Sequence, residues 1–306
     1  MIDLVYVGNA RYSEAIRVSA ASALRHASHP EMLRIHVVTD DPDFPADTGL
    51  DVRRWSGEGR AVWHGTELVW ARIDFAALFP ECDWVISCDG DTLWLADPAG
   101  LWDLRDASRL FLASCDATAP DGSPLGAFGW WRENGMEMSP EQCYCCGLML
   151  MNLARMRTER FSEACRRFLL RYPDPPMREQ TVMCHVARHA SAPLPPEWGV
   201  FSFWHTTVTE PKLVHFVMDL PWRRDKINRL VSDIVLLWWR ERERLGVHTG
   251  GYGYRGCRNR LDYAWRRAAF LVMKPFARLI DACGWIRPHF RNARGLTAAQ
   301  WRRFAP

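Results

Sequence analysis

The chain has 306 residues, 48% of them hydrophobic and 25% charged, which is typical of a folded globular protein and excludes a disordered or fibrous one. Its formal net charge of +3 at pH 7 is too small for the concentrated basic surface of a nucleic-acid-binding protein, so nucleic acid is not an expected partner. Because we find neither an export signal nor an apolar run of roughly 18 to 20 residues, we expect a cytoplasmic protein with reduced cysteines.

The N-terminal segment carries the pattern of a βαβ unit. Residues 4–7 and 34–39 are short β-rich runs, and residues 12–26 between them place Ala, Ile, Val and Leu at helical spacing. A right-handed crossover between them begins a parallel sheet, whose ligand-binding edge lies at the carboxyl ends of the strands. Residues 8–12 fall at that edge.

An acidic motif follows the next predicted strand. Residues 65–79 read as a helix, and the apolar run 84–87 leads directly into Cys88-Asp89-Gly90-Asp91. The glycine lets the backbone bend so that both carboxylates turn toward one point. Carboxylate oxygens suit Mg²⁺ or Mn²⁺, and phosphate oxygens can complete the coordination shell. The motif therefore predicts a cation site for a nucleotide diphosphate, with a solvated turn as the alternative.

The remaining central segments alternate between strands and helices. His215 ends the last of them and could offer an imidazole nitrogen to Mn²⁺, although a lone histidine is more often structural. Trp130 and Trp131 lie in a long predicted loop and could stack on a sugar or simply pack. Cys143, Cys145 and Cys146 lack the two spaced pairs of a structural zinc site, which favours buried thiols. The predicted elements are strand 110–113, loop 116–137, strand 146–153, helix 155–172, helix 179–188 and a last central strand 212–216.

Taken in order, several of these segments resemble the retaining glycosyltransferases of family 8, in particular the bacterial lipooligosaccharide galactosyltransferases and glucosyltransferases. The most specific match is the stretch Val-Ile-Ser-Cys-Asp-Gly-Asp-Thr-Leu-Trp-Leu-Ala-Asp-Pro-Ala-Gly-Leu-Trp at 85–102, which is similar to the metal motif of the family. The other matching segments are 2–12, 70–73, 144–153, 179–180 and 213–222.

The resemblance implies an α/β fold: a single GT-A (Rossmann-like) nucleotide-diphospho-sugar transferase domain with a mixed, mostly parallel central sheet. It places this domain at 1–224 and leaves 225–306 as a basic, helical C-terminal extension. It also implies Mn²⁺ or Mg²⁺ as the cofactor and a UDP-sugar as the donor. The implied metal ligands are Asp89, Asp91 and His215. The implied donor-binding residues are Val7, Asn9, Tyr12, Arg72, Asp89, Gly90, Asp91, Cys145 and Cys146.

The implied activity is transfer of galactose or glucose, with retention of anomeric configuration, to a glycan or lipid-linked acceptor. Glu179 and Gln180 match the pair that lies beside the anomeric carbon in the family. Because an amide is a poor nucleophile, we favour front-face attack, in which the departing phosphate takes the acceptor proton and both residues shape the pocket. Glu179 as a nucleophile is the alternative.

Departures from the family pattern affect the donor contacts. Cys145 replaces an Asn that touches the sugar, Glu179 replaces an Asp, and residues 9–11 replace the acidic pair and Asn that hold the uridine. Leu220 stands where a diphosphate-binding Lys is expected, and Lys212, Arg223 or Arg224 could supply that charge. These changes keep open a catalytically inactive relative that binds a nucleotide-sugar or glycan as a sensor or scaffold. A nucleotidyltransferase is disfavoured, because no Gly-rich phosphate loop lies near residue 10.

The C-terminal region is rich in Arg and poor in acidic residues. We predict amphipathic helices at 227–245 and 259–283, joined by a Gly/Tyr-rich segment. The second helix mixes aromatic, aliphatic and basic residues as helices at anionic membrane surfaces do. We therefore expect peripheral association with the inner face of the cytoplasmic membrane, while packing of this helix on its own domain is the alternative.

Overall fold

A seven-stranded sheet forms the centre of the structure. The structure, a computed structural model, describes residues 1–45, 50–57, 67–115, 127–202, 210–217, 220–222, 231–246 and 260–276. The strands are β1 (Ile2–Val7), β2 (Leu33–Thr39), β3 (Asp51–Arg54), β4 (Trp84–Asp89), β5 (Thr92–Trp94), β6 (Phe111–Cys115), β7 (Tyr144–Asn152), β8 (Ser191–Pro193), β9 (Val200–Phe201) and β10 (Leu213–His215).

The order of strands in the central sheet is β3-β2-β1-β4-β7-β6-β8. Strand β7 runs antiparallel to both of its neighbours, and every other neighbouring pair is parallel. The sheet is therefore mixed and mostly parallel, as predicted. Alternate residues of one strand belong to different hydrophobic clusters: Val5 and Met149 to one, Leu4, Tyr6 and Leu150 to another. Since side chains of a strand alternate between faces, both faces of the sheet are covered.

The helices connect and cover these strands. They are α1 (Ser13–His26), α2 (Phe75–Leu78), α3 (Ala99–Trp102), α4 (Phe128–Glu133), α5 (Leu153–Thr158), α6 (Phe161–Arg171), α7 (Glu179–Val186), α8 (Asp233–Arg244) and α9 (Arg260–Met273). Helix α1 joins the parallel strands β1 and β2, which confirms the predicted βαβ unit.

Two predicted helices differ from those observed. The segment 155–172 is not one helix, because Arg160 adopts a left-handed conformation with φ of 53° and separates α5 from α6. In the predicted helix 65–79, the described part consists of 3₁₀ turns over Leu68–Asp74 followed by the short α2. The prediction was right about a helical segment but wrong about a continuous α-helix.

The prediction that 212–216 forms a last central strand is wrong. Strand β10 lies in a separate three-stranded sheet of order β5-β10-β9, antiparallel to β5 and parallel to β9. Its partner β5 begins three residues after Asp89, the last residue of β4. The small sheet therefore continues from the end of the acidic motif rather than extending the edge of the large sheet.

The predicted loop 116–137 contains helix α4, so the prediction is wrong for that part; residues 116–126 lie outside the described residues. Trp131 is buried and belongs to a hydrophobic cluster that includes residues of β7 and α6. Trp130 packs its ring against Tyr172, with centroids 5.4 Å apart, and against Phe168 at 6.4 Å. Of the two alternatives for this tryptophan pair, the structure shows packing.

Helix α8 packs on α1. Arg25 of α1 pairs with Glu241, and Glu14 pairs with Arg242. Val18 and Trp238 share one hydrophobic cluster. The boundary that we place at residue 224 stays a prediction.

Helix α9 lies beside the start of α8, where Arg267 and Lys274 each contact Asp233 at 2.6 Å. In the described parts of the chain, we find no helix that is long and apolar enough to cross a membrane. The predicted continuation of the second C-terminal helix to residue 283 lies outside the described residues beyond 276.

Candidate functional site

The site lies where β1, β4 and β10 end. Val7 pairs with Asp89 across the parallel strands β1 and β4, so their carboxyl ends meet. His215 pairs with Thr92 of β5, and the Phe216 N–H donates to the carbonyl of Asp91 at 2.7 Å. These contacts bring the acidic motif and the histidine to one place, although they are far apart in the sequence.

Asp89, Asp91 and His215 form a group that could hold a metal ion. Their ligand atoms all lie within 4.8 Å of one another. Nε2 of His215 is 3.5 Å from Oδ2 of Asp89 and 3.3 Å from Oδ1 of Asp91. Asp91 and His215 are buried, and Asp89 is partly exposed. Two carboxylates and one imidazole suit Mn²⁺, and the carboxylates also suit Mg²⁺. The residues present therefore fit a divalent cation.

The two glycines beside the site allow close packing of α1. A Cβ atom at Gly90 would lie 2.7 Å from Cγ1 of Ile16, and one at Gly8 would lie 2.7 Å from Cδ1 of the same side chain. Real Cβ atoms do not approach neighbours so closely. Gly90 thus serves helix packing as well as the bend between the two carboxylates.

Arg72 is a buried cation that holds three groups of the site. Its Nε donates to the Ser87 hydroxyl at 3.1 Å, its Nη1 to Glu179 at 3.2 Å and its Nη2 to Asp89. Only 3% of the residue is exposed. The guanidinium therefore fixes the position of Asp89 relative to Glu179. The contact with the donor that the resemblance implies stays a prediction.

Burial and ion pairing shift the pKa values of this cluster in different directions. Burial raises the pKa of Glu179 to about 7, although Arg72 opposes the shift. At Asp89 burial also favours the neutral form, but Arg72 and His215 outweigh it and lower the pKa to about 2. Burial disfavours a charged His215, yet Asp91 and Asp89 raise its pKa well above the usual value. The two carboxylates therefore favour the protonated imidazole in the metal-free protein.

Glu179 and Gln180 begin α7 and are both buried. The two preceding residues, Met177 and Arg178, have φ angles of 54° and 48°, in the left-handed region that non-glycine residues rarely adopt. Such conformations cost energy and cluster at functional sites. The Oε1 atom of Gln180 accepts a hydrogen bond from the Cys146 N–H at 3.2 Å. The turn before α7 and this bond hold the start of the helix against β7.

Cys145 and Cys146 lie at the start of β7, facing different neighbours. The sulfur of Cys145 is 3.8 Å from Nδ1 of His215. The Cys146 thiol is buried, and burial, with Cys184 and Glu179 nearby, raises its pKa well above the usual value. With Cys143, these residues are buried free thiols.

The loop after β1 is held by Asn9 and by Asp41, and the sequence analysis did not identify Asp41. The side chain of Asn9 accepts from the Arg11 N–H at 3.1 Å, and Asp41 accepts from the Ala10 N–H at 2.9 Å. Asp41 follows β2 at the same edge of the sheet, and this position after a predicted strand could have identified it as a residue of the site. The Tyr12 ring packs edge-on against Trp222, with centroids 5.7 Å apart.

Leu220, at the position where the family has a lysine, is buried in a hydrophobic cluster with Trp222. Of the candidates for the missing charge, Lys212 pairs with Glu197 at 3.1 Å. Arg223 and Arg224 lie outside the described residues.

Comparison with known families decides the classification of the chain. The sequence model of the family described as Glycosyl transferase family 8 matches residues 63–226, which is more than half of the chain and includes the acidic motif and His215. The chain belongs to glycosyl transferase family 8. The resemblance inferred from the motifs is thus confirmed, and the protein is a glycosyltransferase with an Asp-x-Asp group able to bind metal.

Solved structures of glycosyltransferases share the fold. The galactosyltransferase LgtC, in complex with donor and acceptor sugar analogues, is 19% identical with a TM-score of 0.62, over 81% of this chain and 96% of LgtC. The bifunctional glycosyltransferase WbbM is 17% identical with a TM-score of 0.62, and this chain covers 52% of it.

Mouse xyloside xylosyltransferase 1 is 13% identical with a TM-score of 0.52, over 71% of this chain and 98% of the mouse protein. No curated protein sequence matches this chain. At these identities the structural similarity concerns the fold, and it confirms the predicted α/β architecture of GT-A type for family 8.

Proposed function

We propose that this chain is a retaining hexosyltransferase that moves galactose or glucose from a UDP-sugar to a glycan or lipid-linked acceptor, with Mn²⁺ or Mg²⁺ as cofactor. The observation that carries the proposal is the convergence of Asp89, Asp91 and His215 within 4.8 Å at the carboxyl ends of the strands. This edge of an α/β sheet is where ligands bind. The donor and acceptor sugar analogues named for LgtC support the substrate class.

The three residues of this group would bind the cation through two carboxylates and Nε2 of His215. When bound, such a cation neutralises the charge that develops on the leaving diphosphate. Arg72 holds Oδ1 of Asp89 while His215 faces Oδ2, so the carboxylate is oriented before any ligand arrives. A preorganised carboxylate is the arrangement that binds a metal with little rearrangement.

Glu179 and Gln180 would line the pocket for the sugar. The Gln180 oxygen is already a hydrogen-bond acceptor for Cys146, and Glu179 is tied to Arg72. These contacts favour positioning over nucleophilic attack by either residue. In the front-face route, the acceptor oxygen bonds to the anomeric carbon as the bond to the phosphate oxygen breaks, and the acceptor proton passes to that phosphate oxygen.

We assign nucleoside contacts to Val7, Asn9 and Tyr12, and contacts near the sugar to Cys145 and Cys146. Val7 ends β1 beside Asp89, and the two residues that follow in this assignment lie on the loop beyond it. A nucleotide at this edge would have its diphosphate next to the metal group. Because Gly90 has no side chain, Ile16 of α1 can fill the space beside it.

The C-terminal extension, residues 225–306, is proposed to bind an anionic membrane surface. It contains 17 Lys or Arg and 6 Asp or Glu, whereas residues 1–224 contain 22 and 30. On α9 and the turn after it, the large side chains that are exposed on one face are all apolar. These are Leu261, Trp265, Leu271, Val272 and Phe276.

The opposite face of α9 packs on the protein. Phe270 is fully buried, and Arg267 and Lys274 pair with Asp233 of α8. An apolar helical face directed outward, on the basic part of the chain, is the arrangement expected at a membrane interface. This placement would bring the site to a lipid-linked acceptor.

A thermal-shift comparison of UDP-galactose, UDP-glucose and UDP-N-acetylglucosamine, each with and without Mn²⁺, tests the donor assignment. A ligand at about 100 times its Kd stabilises the folded state by about 2.7 kcal/mol, so the preferred donor should raise the Tm clearly. We expect a UDP-hexose to give the largest rise, and only with Mn²⁺. No rise with any UDP-sugar would contradict the proposal, as would inversion of the donor's anomeric configuration in the first product seen by NMR.

A further inference from the structure

His215 has contacts at both ring nitrogens. On one side, Nε2 faces Asp89 and Asp91 at 3.5 and 3.3 Å. On the other side, Nδ1 lies 3.8 Å from the sulfur of Cys145. The histidine is 4% exposed and the cysteine 8%. The ring therefore separates the thiol from the two carboxylates.

The chemistry of imidazole determines what these two contacts can do together. A neutral imidazole that binds a cation through Nε2 carries its proton on Nδ1. Metal-binding histidines almost always donate that N–H to a neighbouring acceptor, which fixes the tautomer and the orientation of the ring. At the distance observed here, the sulfur of Cys145 is the acceptor that the structure gives Nδ1. A thiol is a weak acceptor, weaker than an amide oxygen.

The backbone places Cys145 for this contact. The register between β6 and β7 shifts between Ala113 and Ser114, so Ser114 lies opposite Cys145. The Ser114 hydroxyl donates to the Cys145 carbonyl at 3.3 Å. Irregularities of this kind redirect side chains and are common beside active sites. Gly147 follows Cys145 by two residues on the same face of β7, and its lack of a side chain leaves room for the ring of His215.

We propose that Cys145 is a positioning residue: its sulfur accepts the Nδ1–H of His215 and thereby presents Nε2 to the metal. This inference rests on the proposed metal site. The thiol would thus orient the histidine in addition to its assigned position near the sugar, where the family pattern has an asparagine. The sulfur itself is not a ligand, because it lies on the Nδ1 side of the ring and the carboxylates lie on the Nε2 side.

Mn²⁺ affinity of the full chain in the presence of UDP, measured by electron paramagnetic resonance, tests this role. Loss of an outer-shell partner typically weakens metal binding by about 10- to 100-fold, and the weak acceptor here places Cys145→Ala at about tenfold. Cys145→Ser keeps an acceptor and should bind Mn²⁺ nearly as tightly as the parent. Cys165→Ala removes a fully buried thiol from α6 and serves as the matched control, with unchanged affinity.

Thermal unfolding with and without Mn²⁺ separates the proposed role from a general loss of packing. The proposed role predicts a smaller Mn²⁺-induced rise in Tm for Cys145→Ala, whereas a general loss of packing would lower the Tm of the metal-free protein. Equal Mn²⁺ affinity of Cys145→Ala and the parent would overturn the inference and leave the metal site intact. A sulfur-to-metal charge-transfer band of the Co²⁺-loaded parent, absent in Cys145→Ser, would overturn it by making the sulfur a ligand. Failure of the parent to bind Mn²⁺ would instead overturn the proposed function together with this inference.

Discussion

Gly147 packs so closely against His215 that a Cβ atom at residue 147 would overlap the imidazole ring, including a contact of 3.0 Å with Nε2. The close approach leaves no space for a methyl group. We therefore predict that Gly147→Ala displaces His215 from Asp91 and weakens Mn²⁺ binding by at least about tenfold. Isothermal titration with Mn²⁺ in the presence of UDP measures the loss.

Gly129→Ala is the matched control for this prediction. Gly129 lies in α4, and a Cβ atom there would meet nothing within 4 Å. Because alanine favours the helix over glycine by roughly 0.5–1 kcal/mol, the control should be slightly more stable and should bind Mn²⁺ like the parent. Parent-like Mn²⁺ affinity of Gly147→Ala would show that His215 is not a ligand in its observed position.

The raised pKa of Glu179 predicts a pH-dependent effect on stability. Burial moves the pKa from 4.5 to about 7, so the folded protein holds this proton more tightly than the unfolded chain. The resulting stabilisation is complete below about pH 4.5 and is lost as the pH rises through about 7. Glu179→Gln has no such proton to lose. We therefore expect the metal-free variant to gain stability relative to the parent as the pH rises from about 4.5 to 7.

Urea unfolding of both proteins across this pH range, in the presence of EDTA, measures the difference. A constant difference in the free energy of unfolding would mean that the pKa of Glu179 is the same in the folded and unfolded states, and it would contradict the prediction. Glu133→Gln changes an exposed glutamate at the end of α4 and is the control, in which the pH-dependent loss assigned to Glu179 should persist.

The exposed face of α9 predicts membrane binding through apolar contacts. The triple variant Trp265→Ser, Leu271→Ser, Val272→Ser removes side chains that are 74%, 51% and 64% exposed, so folding should be little affected. We expect the parent to sediment with phosphatidylglycerol vesicles and to bind phosphatidylcholine vesicles much less, and the triple variant to stay in the supernatant. Leu170→Ser, which changes a leucine that is 87% exposed on α6, is the control and should bind like the parent.

Two outcomes would assign this face differently. Unchanged sedimentation of the triple variant would show that the face is not the membrane contact. A dimer of the parent that the same substitutions dissociate, without vesicle binding by either protein, would assign the face to a second copy of the chain.

The elements nearest the acidic motif could be predicted because local pattern determines them. The apolar run before Asp89 identifies a buried strand, and the spacing of apolar residues between β1 and β2 identifies α1. The carboxyl ends of parallel strands then meet at one edge, which is why Val7 and Asp89 come together there. His215 was a candidate ligand from its place at the end of an apolar strand, and the motifs that resemble family 8 supported it.

Features that depend on distant pairings were not predictable in the same way. Strand β10 is only three residues long, and its sheet is defined by pairing with β5 and β9 rather than by its own pattern. The break between α5 and α6 occurs at Arg160, a residue type that does not signal a left-handed conformation. The three simultaneous contacts of Arg72, and the role of Ser87 in them, likewise require the folded geometry.

We propose that Asp89 and Asp91 at the end of β4 and His215 at the end of β10 bind a divalent cation for transfer from a nucleotide-sugar. Release of UDP from UDP-galactose and UDP-glucose, with Mn²⁺ or with EDTA, tests it most directly in the parent and in Asp91→Asn. We predict turnover with Mn²⁺, none with EDTA, and a loss of about 100-fold or more in Asp91→Asn, since charge stabilisation by a metal contributes several kcal/mol. Turnover that is equal with EDTA or in the variant, or none with any donor, would contradict the account.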